Sequence, residues 1–389
     1  MTQLKSRLFL ASSSLLVLTV LQLTQYALAE WDAKGTVSSS KATLFDIVAI
    51  HRPGPQAIDT SYVTAKKRND NGRLQLALWD YTSITGNSLG SSSQVTLGPI
   101  GNDLDLDWFY NADDNASNVQ DQRIAVAMID GRGELRVILW SLPWSNANFS
   151  LSESNRLGDN VASGHRTGEI QEVALTVLND NRLLTAVKTK NSKLKVIAWD
   201  VSDDGMTLDR RGSWTSSGEP ELIKISRAGD GRAIVAFRNE DENLEVMSFR
   251  VNAQGDVTKL SEVVRGRINA LDHDGFRSVM RDDDNNLRVI DWEVDRDGTI
   301  SRETDNFQEG HPTGRVFDVA YDNGLSVMRD DGQRLRVIEW GPEASREGSG
   351  AAYTIKGPVK IARGFGYEGA ATAALADDDK LRITVWHDE

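Results

Sequence analysis

Short apolar runs that each end in an aromatic residue recur along the chain. They read Leu74 to Trp79, Leu135 to Trp140, Leu194 to Trp199, Leu244 to Phe249, Leu287 to Trp292, Leu335 to Trp340 and Leu381 to Trp386, with the closing aromatics 43 to 61 residues apart. A second β-rich run precedes the phrase, as in Arg232 to Arg238 or Phe276 to Arg281, and a polar turn such as Asn239 to Asn243 or Asp282 to Asn286 separates the two. Beyond the phrase come tight turns, Asp204-Gly205 and Asp297-Gly298, and then a weaker strand such as Thr299 to Glu303. One more strand, Glu221 to Ser226 or Arg315 to Ala320, opens the repeat. Runs of four to eight β-favouring residues divided by Gly, Asp and Asn are consecutive hairpins. No stretch sustains a 3.6-residue period with caps, so the pattern predicts an all-β chain with little helix.

A single four-stranded sheet cannot bury both of its faces, whereas stacked copies bury each other's. Seven repeats of this length predict a seven-bladed β-propeller of four-stranded antiparallel blades. The last repeat stops shortly after Trp386 and lacks an outer strand, and Trp31 to Ser38 stand as a spare strand ahead of the first inner strand, Ala42 to Ile50. The expectation is that residues 31–38 complete the last blade, which leaves no open edge at the seam. On these repeats, residues 30–389 resemble the bacterial exported seven-bladed β-propeller repeat proteins, of the lectin or sensor kind. Trp79-Asp80 and Trp199-Asp200 echo the WD40 signature, but the Gly-His to Trp-Asp spacing is not matched. The resemblance implies the fold alone, since a superfold hosts many functions.

Residues 1–29 stand apart from the repeats. Lys5 and Arg7 precede a mostly apolar stretch from Leu8 to Leu23, and Ala27-Leu28-Ala29 fits the small-x-small cleavage rule. We read them as a cleaved signal peptide, with Glu30 opening a single mature domain. A membrane anchor is the alternative, for which the run is short. No later segment has 18 consecutive apolar residues, so no span is expected in the mature chain, and the protein is expected to be periplasmic or secreted.

The chain has 389 residues, a formal charge of −13 and no cysteine. That removes disulfides, thiolate metal sites and cysteine nucleophiles, and the acidic balance argues against nucleic acid as a partner. The oligomeric state is not legible.

Candidate chemistry falls into four groups. The repeated aromatics suit either sugar-stacking platforms or packing between blades. Non-repeated aromatics, Trp108, Tyr110, Trp144 and Trp214, fall mostly where the first three repeats carry extra length, which favours binding. His165 and His311 occupy corresponding loops and join these as ligand-binding candidates. Aligning the inner strands places Asp46, Asp107, Glu172, Lys224, Asn269, Asp318 and Lys360 in a mixed-charge ring around a central channel. Such a ring suits a cation or a small polar ligand, or else pairs with itself around water. The alternation Asp103-Leu104-Asp105-Leu106-Asp107 puts three carboxylates on one strand face and marks Asp103, Asp105 and Asp107 as metal candidates, with Ca2+ the natural cation. The acidic hairpin turns lack the spacing of a calcium loop. Gly86 to Gly90 fits Gly-x-Ser-x-Gly but lacks the strand–turn–helix context that gives the motif meaning. No catalytic constellation emerges. The reading is an exported, non-catalytic binding protein for a glycan or an extracytoplasmic protein. The alternative is an exported enzyme, a carbohydrate hydrolase or lyase or a metal-dependent lactonase-like protein, with its site at the channel mouth.

Overall fold

A computed structural model describes residues 31–388, except 52–59, 83–87, 110–120, 146–147, 150, 153, 155, 162–168, 230, 308–316, 331, 341–344, 350–353 and 364–368. The leader expected over residues 1–29 lies outside the described residues. As the alternating hairpins predict, the described chain is all-β, built of several antiparallel sheets, without helix and with no sheet closed on itself. No helix among the described residues is long and apolar enough to cross a membrane.

The strands pair into four-stranded units, each running from an inner to an outer strand. Unit 3 shows the plan: Ile170–Asn179, Arg182–Thr189, Leu194–Val201 and Leu208–Thr215, hydrogen-bonded in that order. Unit 4 begins at Glu221–Arg227 and unit 6 at Asp318–Asp322. Three long strands each serve two units. Ser88–Phe109 is the outer strand of unit 1 up to Pro99 and the inner strand of unit 2 from Ile100. Val257–Asp274 does the same for units 4 and 5. In Trp31–His51, residues 31–41 pair with Lys380–Asp388 as the outer strand of unit 7, and residues 42–51 form the inner strand of unit 1. A break in register at each switch, of one residue at Ala42/Leu44 and Ile268/Ala270 and of two at Ile100/Leu104, lets a strand turn from one sheet to the next.

Packing explains the repeated phrase. Its aromatic lies in the third strand and fills the space between consecutive units. Trp140 packs with residues of units 1 and 2, Trp199 with units 2 and 3, Phe249 with units 3 and 4, and Trp292 with units 4 and 5. Trp340 joins units 5 and 6, Trp386 joins units 6 and 7, and Trp79 joins unit 7 to unit 1. Inner strands are neighbours in chain order, and that of unit 7 neighbours that of unit 1.

A polar rule accompanies each buried indole. Trp79 Nε1 donates to Thr64 Oγ1 at 2.9 Å, Trp199 to Thr185 at 3.0 Å, and Trp292, Trp340 and Trp386 to Ser278, Ser326 and Thr372, each at 2.9 Å. Phe249, which has no donor, has Val235 at the position that matches the acceptors. Trp140 breaks the rule: its partner position is Val126, and its buried N–H has no acceptor among the described residues. Val126→Thr is therefore expected to raise stability by about 1 kcal/mol, read as a later urea midpoint at unchanged slope.

The turn between second and third strands is equally regular. One residue in each has a left-handed backbone: Gly72, Gly133, Ser192, Glu242, Asn285, Gln333 and Asp379. Only two of the seven are glycine, the residue for which this conformation carries no Cβ penalty. Gln333→Gly is expected to stabilise by roughly 0.5–1 kcal/mol in thermal unfolding. The carbonyl of several of these residues accepts the first N–H of the next inner strand: Gly133 from Ile170, Glu242 from Ile268, Gln333 from Ile355, and Asp379 from Ala42 across the seam. The turn acids serve as backbone caps. Asp282 Oδ1 accepts from the N–H groups of Asp284 and Asn286 at 3.0 and 2.8 Å, and Asn239 Oδ1 from those of Asp241 and Asn243 at 3.1 and 3.0 Å.

Candidate functional site

Each inner strand leaves one edge of its backbone without a strand partner, and unpaired N–H groups are costly unless something accepts them. Acidic side chains on the preceding inner strand do so. In unit 2, Leu104 and Leu106 turn into the apolar cluster between units 1 and 2, and the alternating carboxylates turn toward unit 3. Asp103, Asp105 and Asp107 accept the N–H groups of Val173, Leu175 and Val177 at 2.7, 2.6 and 2.7 Å. The device recurs. Asp46 accepts from Leu106 at 2.8 Å, Glu172 from Ile223 at 2.5 Å, Asp272 from Tyr321 at 2.8 Å and Asp274 from Asn323 at 3.1 Å. Asp318 accepts from Val359 at 2.9 Å, and Asp322 from Arg363 at 2.5 Å. These side chains both line the centre and tie each unit to the next.

Two cavities lie back to back at this centre and share Asp105, Lys224 and Lys360. The larger, about 280 Å³, is lined by inner-strand residues of all seven units, among them Asp107, Trp108, Asp274 and Asp322. The smaller, about 220 Å³, carries Asp103, Glu172, Asn269, Phe317 and Asp318. At the shared waist Lys360 Nζ lies 3.1 Å from Asp46 Oδ1, and Lys224 Nζ lies 3.2 Å from Asp272 Oδ1.

Burial and charge set the protonation of this centre. Burial alone would raise Asp46, but the Lys360 ammonium and a hydrogen bond from Asp105 outweigh it and hold the carboxyl below its ordinary range. Asp105 is driven well above that range by burial and by the Asp46 charge, so the pair shares one proton. Burial, beyond the help of their backbone N–H donors, pushes Asp103 to about 6 and Asp107 to about 7. Glu172 rises to about 7 through burial and the nearby Asp103. Asp274 and Asp318 are raised by burial, and Asp322 well above its usual value by burial and then Asp274. The Lys360 ammonium gains from Asp46 and Asp105 more than burial removes, so it stays charged.

The residues singled out in the sequence fall at several places. Lys224 and Lys360 share the waist with Asp105, and Asp46 lines the larger cavity beside Lys360. Asp107 belongs to the larger cavity, with Asp274 and Asp322, whereas Glu172 and Asp318 belong to the smaller. Asn269 lines the smaller cavity, and its amide donates to the Asp282 carbonyl at 3.3 Å. Among the described residues, no three acidic or histidine side chains converge as metal ligands, and each of Asp103, Asp105 and Asp107 has one oxygen on a backbone N–H. Trp108 lines the larger cavity. Trp214 stands far from it, edge-on to Phe249 at 5.1 Å with Lys259 Nζ 5.6 Å from its ring. Tyr110, His165 and His311 lie outside the described residues, as does the side chain of Trp144, whose backbone belongs to Leu135–Ser145. Ser88 and Gly90 of the Gly-x-Ser-x-Gly run lie within a strand. Sequence reading missed Asp272, Asp274 and Asp322. Their alternation, Asp272-His273-Asp274, repeats that of residues 103–107 and was the available signal.

Comparison of the chain with protein-family models and with curated proteins finds no match.

Proposed function

We propose that the seven units form a seven-bladed β-propeller, exported after loss of residues 1–29. It acts as a non-catalytic binding protein for a glycan or an extracytoplasmic protein. The observation that carries this reading is the 280 Å³ cavity to which every unit's inner strand contributes. A concave site with convergent polar groups and perturbed carboxyls, held on rigid strands, is where a ligand is expected. Trp108 supplies the apolar surface on which a sugar ring or a partner's side chain would rest. The test is binding of residues 30–389 to a glycan array, with calcium and with EDTA. Saturable binding to one glycan class supports the glycan arm, and EDTA sensitivity adds a cation to the site. Trp108→Ala is expected to weaken that binding by about tenfold or more, measured by calorimetry. Silence on every glycan leaves the protein arm, which pull-down from periplasmic or extracellular fractions decides.

One observation favours the second reading, an exported hydrolase. Asp103 and Glu172 line the smaller cavity together and hold their protons to about pH 6 and 7, the range of a working general acid. Turnover of a glycoside or lactone that is lost in Glu172→Gln would move the assignment there.

A further inference from the structure

The outer strand of unit 7 differs in kind from the other outer strands. In units 3, 4 and 5 a hairpin turn joins the outer strand to the third. Residues 31–41 instead meet Lys380–Asp388 from the far end of the chain, with register breaks at Ala33/Gly35 and Ser38/Lys41. The described side chains of this stretch bring little apolar surface: Ala33, Thr36, Ser38 and Ser40 are exposed, and only a half-buried Val37 packs against a core. Polar contacts hold the strand. Thr36 Oγ1 lies 2.9 Å from Thr384 Oγ1, Arg382 donates to Ser38 Oγ, and Lys41 lies 3.7 Å from Asp379.

A further contact comes from unit 1. Lys66 is wholly buried, and among the described residues it makes no ion pair. Its ammonium donates to Ser39 Oγ, to Ser40 Oγ at 2.9 Å and to the Ser40 carbonyl at 3.3 Å. These residues are where the strand leaves unit 7 and enters unit 1. Burial lowers the Lys66 amine to about 8, so the cation sits in a costly place and depends on those three oxygens.

We propose that residues 31–41 detach from residues 380–388 as one segment while the packing between the other units stays intact, and that Lys66 is the catch that sets how often this happens. Local opening of this sort belongs to elements with few buried apolar contacts. The inference is independent of what the central cavity binds.

Amide hydrogen exchange on residues 30–389 tests it. Residues 35–41, and those amides of 382–387 whose bonds go to them rather than to residues 369–375, are expected to exchange at least about tenfold faster than residues 195–201 and 208–215 of unit 3. Lys66→Met should speed exchange at the seam by about another tenfold, one charged hydrogen-bonding group's worth, and leave unit 3 unchanged. Ser40→Ala, at an exposed position, should act in the same direction more weakly and decides the matter if Lys66→Met does not fold. Equal protection of the seam and unit 3 overturns the proposal. So does a variant effect that is absent, or that spreads equally through unit 3.

Discussion

Lys360→Met is expected to lower the free energy of unfolding by about 3–5 kcal/mol near pH 7, the cost of leaving a buried charge without its partner. Lys360 Nζ lies 3.1 Å from Asp46 Oδ1, and Asp46 also accepts the Leu106 N–H. Burial works to raise the Asp46 carboxyl, and the Lys360 charge is the largest influence that keeps it low. Methionine nearly preserves the length of the side chain but removes the charge, so Asp46 and Asp105 would face each other with Lys224 as the remaining nearby cation. The deficit is expected to narrow toward pH 4.5, because Asp46 would then take up a proton and cease to be a buried charge. Urea unfolding of wild type and variant at both pH values checks this. A deficit below about 1 kcal/mol near pH 7, or one that does not change with pH, contradicts it.

The wild-type protein is expected to lose stability as pH rises from about 5 to 8, by a few kcal/mol in all. Asp103 at about 6 and Asp107 and Glu172 at about 7 keep protons that the unfolded chain gives up near pH 4, and Asp105, Asp274, Asp318 and Asp322 shift the same way. Through that window the folded state binds more protons than the unfolded state, so the unfolding free energy falls with pH. His273, lowered to about 4 by burial, acts in the opposite sense between 4 and 6.5, as one group against seven. Asp46, whose carboxyl is lowered, adds stability that is lost only below pH 4. The balance puts the maximum at about pH 4, the reverse of a protein stabilised mainly by ionised, ion-paired carboxylates. Calorimetric melting temperatures at pH 5, 6.5 and 8 should fall in that order by several degrees. A flat or rising series would mean that water or a bound cation relieves the central carboxylates.

The site was legible in part. The alignment by apolar flanks put Asp46, Asp107, Glu172, Lys224, Asn269, Asp318 and Lys360 in one ring; Lys224 and Lys360 line both cavities, and Asp46 lines the larger beside Lys360. Asp107, Glu172 and Asp318 came from the same alignment, yet they sit toward opposite cavities. One residue of register moves a side chain to the other face of a strand and two move it along the axis, and breaks of one residue at Ala42/Leu44 and Ile268/Ala270 and of two at Ile100/Leu104 defeat an alignment by flanks. The carboxylates at 103–107 were read as metal candidates because like charges at alternating positions look uncompensated. What compensates them is the row of backbone N–H groups on the next inner strand, seventy residues away. No local pattern announces that partner.

By itself the sequence determined the all-β character, the hairpin repeat and the aromatic that ends each third strand. These follow from side-chain alternation and turn chemistry, which act over a few residues. It also implied that residues 31–38 would serve the C-terminal repeat, because a count of strands left one missing and one spare. Only the tertiary structure decided which side chains meet at the centre, where buried carboxylates hold their protons, and that the Trp140 N–H has no acceptor among the described residues. Those outcomes depend on distances between strands of different units, and such distances arise when the cores between units close.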